Sequence, residues 1–239
     1  MDSLGDRMKR YEAVTDITLT GRMPCIVRLD GKNFHQWTRS VHAVKPFDAD
    51  LHHLMADTML ALCQDIQGVV LGYTQSDEIS LILQDYFGLD TEPAFGKRLQ
   101  KIVSITASLA TATFNDRARQ MFADAPLALF DARAFVLPKE DVTNYLIWRQ
   151  QDAVRNSIRM AGYAYFSHKS LERVSNDVLQ ERLWTERGIN WNDYAVWEKR
   201  GSCAVRDAET RGWQVDEDTP IFTQDRAYIE RRLEPDLDE

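Results

Sequence analysis

Short apolar runs that end in polar residues alternate along this chain with stretches whose apolar residues recur at helical spacing. Residues 24–29 (PCIVRL) form one such run with β-branched members, which predicts a buried strand. Residues 69–73 and 79–83 predict two more strands, and the polar residues between them are typical of a hairpin turn. A fourth strand is predicted over residues 132–137.

Helices are predicted on either side of the hairpin and after the last strand. Their apolar stripes run from about residue 48 to 66, over 97–115 and over 142–161. The order β, α, β-hairpin, α, β, α is a split βαβ arrangement, which predicts an α+β fold with an antiparallel sheet and helices on one face. We expect residues 1–165 to form this core domain. Residues 166–239 are expected to form a helix-poor C-terminal extension that packs its tryptophans on the core.

Composition and charge narrow the class of protein. The 239 residues suit one large domain or a core domain with an appendage. No apolar run approaches the roughly 18 residues that span a bilayer, and the charged N-terminal stretch does not resemble a signal peptide, so no membrane partner is expected. The three cysteines form no CxxC pair, which disfavours a disulfide framework or a zinc knuckle and favours a cytoplasmic location. The net charge of −8 argues against a non-specific nucleic-acid coat but leaves room for RNA on a local basic patch.

Two aspartates stand where predicted strands end. Asp30 follows the run of residues 26–29, and Asp77 lies in the polar turn of the hairpin. In a split βαβ sheet both positions reach one edge, where two carboxylates can share divalent metal ions of the kind that transfer nucleotidyl groups. Gly31 allows close approach of the backbone and adds a carbonyl oxygen. The alternatives are a simple Asp-Gly turn at Asp30 and a solvated hairpin tip at Asp77.

The residues around both aspartates are suited to a nucleotide. Four consecutive backbone N–H groups after the Asp-Gly turn are candidates for an anion nest that holds a triphosphate: Lys32, Asn33, Phe34 and His35. Lys45 is a candidate for the same phosphates, and Ser76 adds a hydroxyl group beside Asp77. The alternative for His35 is a purely structural hydrogen-bonding role.

Basic residues cluster on two of the predicted helices. Arg98 and Lys101 open the helix of residues 97–115, and Arg155 and Arg159 lie along residues 142–161. Because both helices are expected to flank the aspartates, these four side chains are candidates for contacts with RNA or phosphate. The alternative is a solvated helix face crossed by i,i+3 and i,i+4 pairs. The sequence has no P-loop, GxGxxG, GxSxG or HExxH motif.

These residues together resemble the tRNA-His guanylyltransferase family over most of residues 3–205. The resemblance rests on six segments whose combination is specific: RLDGKNFHQW (28–37), Lys45-Pro46, GYTQSDEISLIL (72–83), KIVS (101–104), FDAR (130–133) and YLIWRQQDAVRNSI (145–158). It implies a catalytic palm domain similar to that of polymerases and nucleotide cyclases, over residues 1–165. It also implies a nucleotidyltransferase that adds nucleotides to the 5′ end of tRNA in the 3′–5′ direction, and commonly a homotetramer.

The resemblance also assigns the site. It implies that Asp30, Asp77 and the Gly31 carbonyl hold two Mg²⁺ ions. It further implies that residues 30–35, Lys45 and residues 76–77 bind the nucleoside triphosphates, ATP and GTP.

One segment departs from the eukaryotic members, which carry a His-Ile-Asn-Asn-x-Tyr-Asn motif after the WRQxD stretch. Here residues 154–160 read VRNSIRM, and only Asn156 matches. In this respect the chain is more similar to the Thg1-like branch of bacteria and archaea, whose members prefer template-dependent repair of truncated tRNA. The expected activity is therefore template-dependent 3′–5′ addition after ATP activates the RNA 5′-phosphate.

Three alternatives stay open at the level of sequence. They are the addition of a single guanylate to tRNA-His, a nucleotide cyclase on the same palm, and a non-catalytic RNA-binding module. A cyclase needs the same aspartates but no RNA. The presence of Asp30, Asp77 and Lys45 together argues against a module without activity.

Overall fold

The computed structural model describes residues 2–122 and 124–234. The helices in this part of the chain are α1 (Leu4–Ala13), α2 (Phe34–Ser40), α3 (Ala49–Asp65), α4 (Leu99–Met121), α5 (Lys139–Tyr165), α6 (Asn176–Arg187), α7 (Val196–Arg200) and α8 (Ala227–Glu230). The strands are β1 (Cys25–Gly31), β2 (Val69–Gln75), β3 (Glu78–Leu83), β4 (Phe130–Val136), β5 (Ser202–Arg206) and β6 (Trp213–Asp216). None of the described helices has both the length and the apolarity needed to span a membrane.

All six strands form one antiparallel sheet in the order β4-β1-β3-β2-β5-β6. β1 lies between β4 and β3, and the β2–β3 hairpin closes beside it. The register sets Asp30 of β1 opposite Glu78 on one side and opposite Asp131 on the other. The predicted α+β fold with a split βαβ antiparallel sheet is therefore confirmed.

The helices cover both faces of the sheet, whereas the sequence predicted helices on one face. Alternate residues of β1 separate two cores: Val27 and Leu29 belong to the core that α3 and α4 cover, and Ile26 belongs to the core beneath α5. C-terminal residues such as Phe222 and Ile229 complete the second core. This explains why the β1 and β3 sequences are continuous apolar runs, since strands buried on both faces lose the alternation of a half-exposed strand.

Local signals set the ends of the elements that approach the site. Asp48 caps α3, because its side chain accepts the backbone N–H of Leu51 at 2.9 Å. Ser76 and Asp77 form the two-residue turn between β2 and β3, and Ser76 adopts a left-handed φ of 52°. The turn is tied to β1, since the N–H of Gly31 donates to the carbonyl of Asp77 at 3.1 Å.

Residues beyond 165 contain more regular structure than the sequence predicted. They form the 12-residue helix α6, and β5 and β6 extend the sheet beside β2. The expectation of a helix-poor segment was wrong because α6 buries only Leu179 and Leu183, which makes its apolar stripe too short to recognise. The predicted tryptophan contact is present: Trp197 stacks on His52 of α3 with ring centroids 4.2 Å apart. A domain boundary at residue 165 stays a prediction, and the sheet runs across it.

Candidate active site

A cavity of about 540 Å³ opens at the edge of the sheet where Asp30 and Asp77 lie. The end of β1, the β2–β3 turn, the start of α3, the middle of α5 and α7 all contribute to its wall. Phe47, Met160 and Trp197 give the cavity an apolar side, in which the ring centroids of Phe47 and Trp197 lie 6.4 Å apart. The volume is in the range of small-molecule sites, and the lining combines apolar side chains with carboxylate, amide and hydroxyl groups.

The two aspartates predicted from separate strands line this same cavity. Burial, followed by the negative charge of Asp30, raises the pKa of Asp77 to about 6. Both neighbouring charges that act on Asp77, those of Asp30 and Glu78, raise its pKa. The edge of the cavity is therefore a site of carboxylate repulsion, which a bound cation would relieve.

A third carboxylate, that of Glu78, is already paired. Glu78 lies opposite Asp30 on the face covered by α5 and does not belong to the cavity lining. Arg149 of α5 donates from Nε and Nη2 to its two carboxylate oxygens at 2.7 and 2.6 Å. Both side chains are buried, so this bidentate pair holds the base of the turn that carries Asp77.

Charges of like sign face each other across the strands beside the cavity. Asp131, Asp30 and Glu78 are register partners on β4, β1 and β3 and form a carboxylate row. Two residues along, Arg28 stands opposite Arg133 and forms an arginine row. Like charges directly opposite destabilise a sheet, and the exposed Arg133–Asp131 pair at 3.6 Å offsets this only weakly. One row thus favours a cation and the next favours an anion, about 7 Å away along the strand.

A neighbouring aromatic ring explains why residue 31 is glycine. A Cβ at Gly31 would lie 2.3 Å from Cδ2 of Phe34. That ring is buried and stacks on Trp37 with centroids 5.2 Å apart, so it has no room to withdraw. Gly31 is the last residue of β1, and this close contact is what constrains it.

The donor set fits a hard cation. The carboxylates of Asp30 and Asp77 and the carbonyl of Gly31 are oxygen ligands of the kind that Mg²⁺ prefers, and Mg²⁺ typically takes one or two carboxylates with water and phosphate. No group of three or more His, Cys, Asp or Glu residues suited to a metal occurs in the part of the chain that the structure describes. A metal here would therefore depend on the phosphates of a bound nucleotide for its remaining ligands.

Most of the residues predicted to bind a nucleotide line the cavity: Asp30, Gly31, Asn33, Phe34, His35, Ser76 and Asp77. Lys32 and Lys45 are exposed and do not belong to the lining. The N–H of Lys32 donates to the carbonyl of Leu129 at 2.8 Å, so it is not available to the predicted anion nest. Lys45 lies two residues before Phe47, which does line the cavity. The binding roles of these residues stay predictions.

Arg98 and Lys101 lie at the other end of the sheet. The start of α4 lines a small separate cavity together with Cys25, the first residue of β1. By the rise of a strand this is about 17 Å from Asp30. The expectation that this helix flanks the aspartates through its basic residues was therefore wrong, because the direction of α4 across the sheet could not be derived from its periodicity.

Helix α5 passes the site, but its two predicted arginines have partners elsewhere. Arg155 pairs with Asp152 at 3.0 Å, and Arg159 donates to the carbonyl of Val174. The residues of α5 that line the cavity are Ala153, Asn156, Ser157 and Met160.

Sequence reasoning missed Arg28, Arg133 and the residues of α7. Arg28 carried a signal, since it is a charged residue within an apolar strand, two positions before Asp30 and hence on the same face. Recognising Arg133 required the register between β4 and β1. Trp197, Glu198 and Lys199 line the cavity because the C-terminal segment packs against it. No local sequence pattern predicts this packing.

A family model described as Thg1, tRNAHis guanylyltransferase, matches residues 5–138. The match covers more than half of the chain and includes both cavity aspartates. The chain belongs to the tRNAHis guanylyltransferase family. Members of this family are nucleotidyltransferases, so the resemblance and the enzyme class predicted from sequence are confirmed.

Solved structures of Thg1-like proteins share the entire fold, which confirms its palm-like character. A bacterial Thg1-like protein in complex with ATP is 48% identical with a TM-score of 0.94, over 98% of this chain and 100% of that chain. A bacterial Thg1-like protein in complex with GTP is 46% identical with a TM-score of 0.84, over 97% and 99%. The tRNA(His) guanylyltransferase of Saccharomyces cerevisiae is 27% identical over 77% of this chain and 83% of its own. Two mammalian relatives are longer, and the match spans 63% of their length.

Replacing Asp77 by asparagine should stabilise the metal-free protein at neutral pH. A carboxyl with a pKa of about 6 in the folded protein and near 3.8 when unfolded opposes folding as the pH rises through this interval, and the full penalty applies above it. We expect Asp77→Asn to raise the free energy of unfolding by on the order of 1–2 kcal/mol near pH 8 and to have little effect near pH 4. Urea unfolding in EDTA at both pH values measures this difference.

The matched control is Asp116→Asn, which changes an exposed carboxylate on α4 and should show no such pH dependence. An equal loss of stability at both pH values for Asp77→Asn would mean that burial and the neighbouring charges do not disfavour the ionised carboxylate in the folded protein.

Gly31→Ala should destabilise the protein by about 1–3 kcal/mol, because the added methyl group overlaps the buried ring of Phe34. Thermal and urea unfolding measure the loss. Gly88→Ala is the control, since a Cβ there would meet nothing closer than 3.6 Å. A second substitution, Phe34→Leu, should lessen the additional cost of Gly31→Ala; unchanged stability for Gly31→Ala would contradict the proposed contact.

Proposed function

We propose that this protein adds nucleotides to the 5′ end of truncated tRNA in the 3′–5′ direction, with the opposite strand as template. The observation that carries the proposal is the carboxylate row beside the arginine row at the edge of a nucleotide-sized cavity. A metal-bound phosphate would satisfy both kinds of charge together, because cations would offset Asp30 of the carboxylate row and the neighbouring Asp77, while phosphate oxygens would accept from Arg28 and Arg133.

The cavity suits a nucleoside triphosphate, and ATP and GTP are the nucleotides proposed. Bacterial Thg1-like proteins that are 48% and 46% identical have been solved in complex with ATP and GTP, respectively. The apolar side formed by Phe47 and Trp197 offers rings on which a base stacks. Ser76 and Asn33 stand on the carboxylate side, where the phosphates of the same nucleotide would lie.

Asp30, Asp77 and the Gly31 carbonyl would hold the two Mg²⁺ ions of this proposal. The chemistry that Mg²⁺ would supply there is a lower pKa for an attacking hydroxyl and stabilisation of the negative charge of the departing group. The chain itself holds the carboxylates in place through the Arg149–Glu78 pair and through the bond from the Gly31 N–H to the Asp77 carbonyl. No side chain is required as a general base.

The reaction consists of two substitutions at phosphorus. First, an oxygen of the RNA 5′-monophosphate attacks the α-phosphorus of ATP, the α–β bond breaks, and pyrophosphate leaves. Second, the 3′-hydroxyl of an incoming nucleoside triphosphate attacks the activated RNA 5′-phosphorus, the bond to AMP breaks, and the hydroxyl proton passes to solvent. The RNA gains one nucleotide with its own 5′-triphosphate.

Template dependence is proposed from two observations. Residues 154–160 lack the motif of the eukaryotic members apart from Asn156, and the bacterial Thg1-like structures match nearly the whole chain. Base pairing to the opposite strand then chooses the incoming nucleotide, so the protein needs contacts only to shape, backbone and phosphate. The homotetramer and the cytoplasmic location stay predictions.

A single assay tests the activity and separates it from its rivals. A 5′-labelled tRNA that lacks its first nucleotide is incubated with ATP, Mg²⁺ and each nucleoside triphosphate in turn. Extension only by the nucleotide complementary to the opposite strand supports the proposal. Guanylate addition regardless of the template would favour the single-guanylate activity, a cyclic product without RNA would favour a cyclase, and binding without any product would favour a non-catalytic module.

Charge removal at the cavity aspartates and in the arginine row should affect the reaction differently. Asp30→Asn and Asp77→Asn should abolish Mg²⁺-dependent extension, while Arg133→Gln should lower kcat/KM by roughly 10- to 100-fold, since a hydrogen bond to a charged group is worth about 1.5–3 kcal/mol. Initial rates against RNA and nucleotide concentration give these values.

The controls are Asp116→Asn and Arg119→Gln, which change exposed side chains of α4. They should retain wild-type rates. Full activity of either cavity variant, Asp30→Asn or Asp77→Asn, would overturn the assignment of the carboxylates.

A further inference from the structure

Trp148 combines high exposure with a fixed orientation. The residue is 48% exposed on helix α5, whereas its neighbours Tyr145 and Arg149 are buried. The guanidinium of Arg149 lies 4.5 Å from the indole centroid, and the ring of Tyr145 meets it edge-on with centroids 6.0 Å apart. Because Arg149 is itself held by Glu78, the indole is oriented by groups that are already buried and paired.

The indole stands beside the arginine row. Arg28 lies 5.8 Å from the indole centroid, near the outer limit of a cation–π contact. The buried Nε of Arg28 has no hydrogen-bond partner among the described residues, and Arg133 directly opposite is exposed. An aromatic face thus adjoins the guanidinium of Arg28, which stands opposite Arg133 across the strands, and two such like charges favour a bound anion between them.

This surface lies on the opposite side of the carboxylates from the cavity. Along α5, the cavity is lined from Ala153 onward, whereas Trp148 precedes that stretch. Along β1, Arg28 precedes Asp30, and neither Arg28 nor Trp148 belongs to the cavity lining. Aromatic rings therefore lie on both sides of the carboxylates, those of the cavity on one side and Trp148 on the other. A reaction that joins two nucleotides needs a binding place for one nucleotide on each side of the metal-binding carboxylates.

We propose that Trp148 is a stacking surface for a nucleobase whose phosphate lies on Arg28 and Arg133. The inference rests on the proposed function and adds the place of the second reactant. Two molecules have such a base and phosphate: the RNA, at its 5′-terminal nucleotide, and the incoming nucleoside triphosphate. Stacking on an aromatic face is tolerant of base identity, which suits an enzyme whose template chooses the base.

The variants are Trp148→Ala, which removes the stacking surface, and Trp148→Phe, which keeps a smaller one. Trp184→Ala is the matched control, since Trp184 is 59% exposed on α6 and belongs to neither site. The RNA carries 2-aminopurine as its 5′-terminal base, because its fluorescence is quenched when it stacks. Thermal unfolding verifies that each variant is folded.

We expect wild-type protein and Trp148→Phe to quench the 5′-terminal 2-aminopurine on binding, without nucleotide and without turnover, and Trp148→Ala to lose this quenching. The KM for RNA should rise by roughly 10- to 100-fold in Trp148→Ala, as for loss of one stacked base, with partial recovery in Trp148→Phe. The KM for the activating ATP should not change. If instead the KM of the incoming nucleotide alone rises, the stacked base belongs to that nucleotide and the surface is still confirmed.

Folded Trp148→Ala with unchanged quenching and with both KM values within twofold of wild type would overturn the inference. Failure of the proposed function is distinguishable, because it would appear as absent extension in the wild-type protein, whereas the quenching measurement requires only RNA binding.

Discussion

Because β1 pairs with β3 and β4 in the register that sets Asp30 opposite Glu78 and Asp131, three carboxylates are held in a row on neighbouring strands. A slip of one residue would turn Asp30 and Arg28 into the apolar core beneath α3 and α4. The apolar residues of β1 do not prevent such a slip, since both faces are buried and Ile26 and Val27 are interchangeable in kind. The polar residues specify the register, at a cost in cross-strand repulsion that the Arg149–Glu78 and Arg133–Asp131 pairs offset only in part.

Elements that depend on local chemistry were predictable from the sequence. The start of α3 follows from Asp48 as its cap, and the hairpin follows from a polar turn between two apolar runs. The convergence of Asp30 and Asp77 on one cavity followed from topology, because a split βαβ sheet places both strand ends at one edge. The arginine row could not be predicted from the sequence, because Arg133 lies opposite Arg28 only through the pairing of two strands about one hundred residues apart.

The C-terminal segment is part of the site rather than an attachment to it. Trp197 closes the apolar side of the cavity and is itself fixed by its stack on His52. The segment approaches the hairpin closely at Gly201, which has a φ of +77° and where a Cβ would lie 2.3 Å from the carbonyl oxygen of Thr74. A larger residue is excluded there on both counts. The sequence pattern weakens over this region because its role is tertiary: short elements fill a gap beside β2 and carry few periodic residues.

The contrast between Glu78 and Asp77 shows how stability and chemistry are divided between neighbouring residues. Glu78 receives a buried arginine and becomes a rigid part of the turn. An equivalent arginine beside Asp77 would stabilise the folded protein, but it would occupy the place where a metal and its phosphate would lie. The charges that act on Asp77 are instead carboxylates, and they add to the effect of burial in raising its pKa. The same repulsion that lowers stability without a ligand is the driving force for holding one, so the site is least stable in the state in which it is empty.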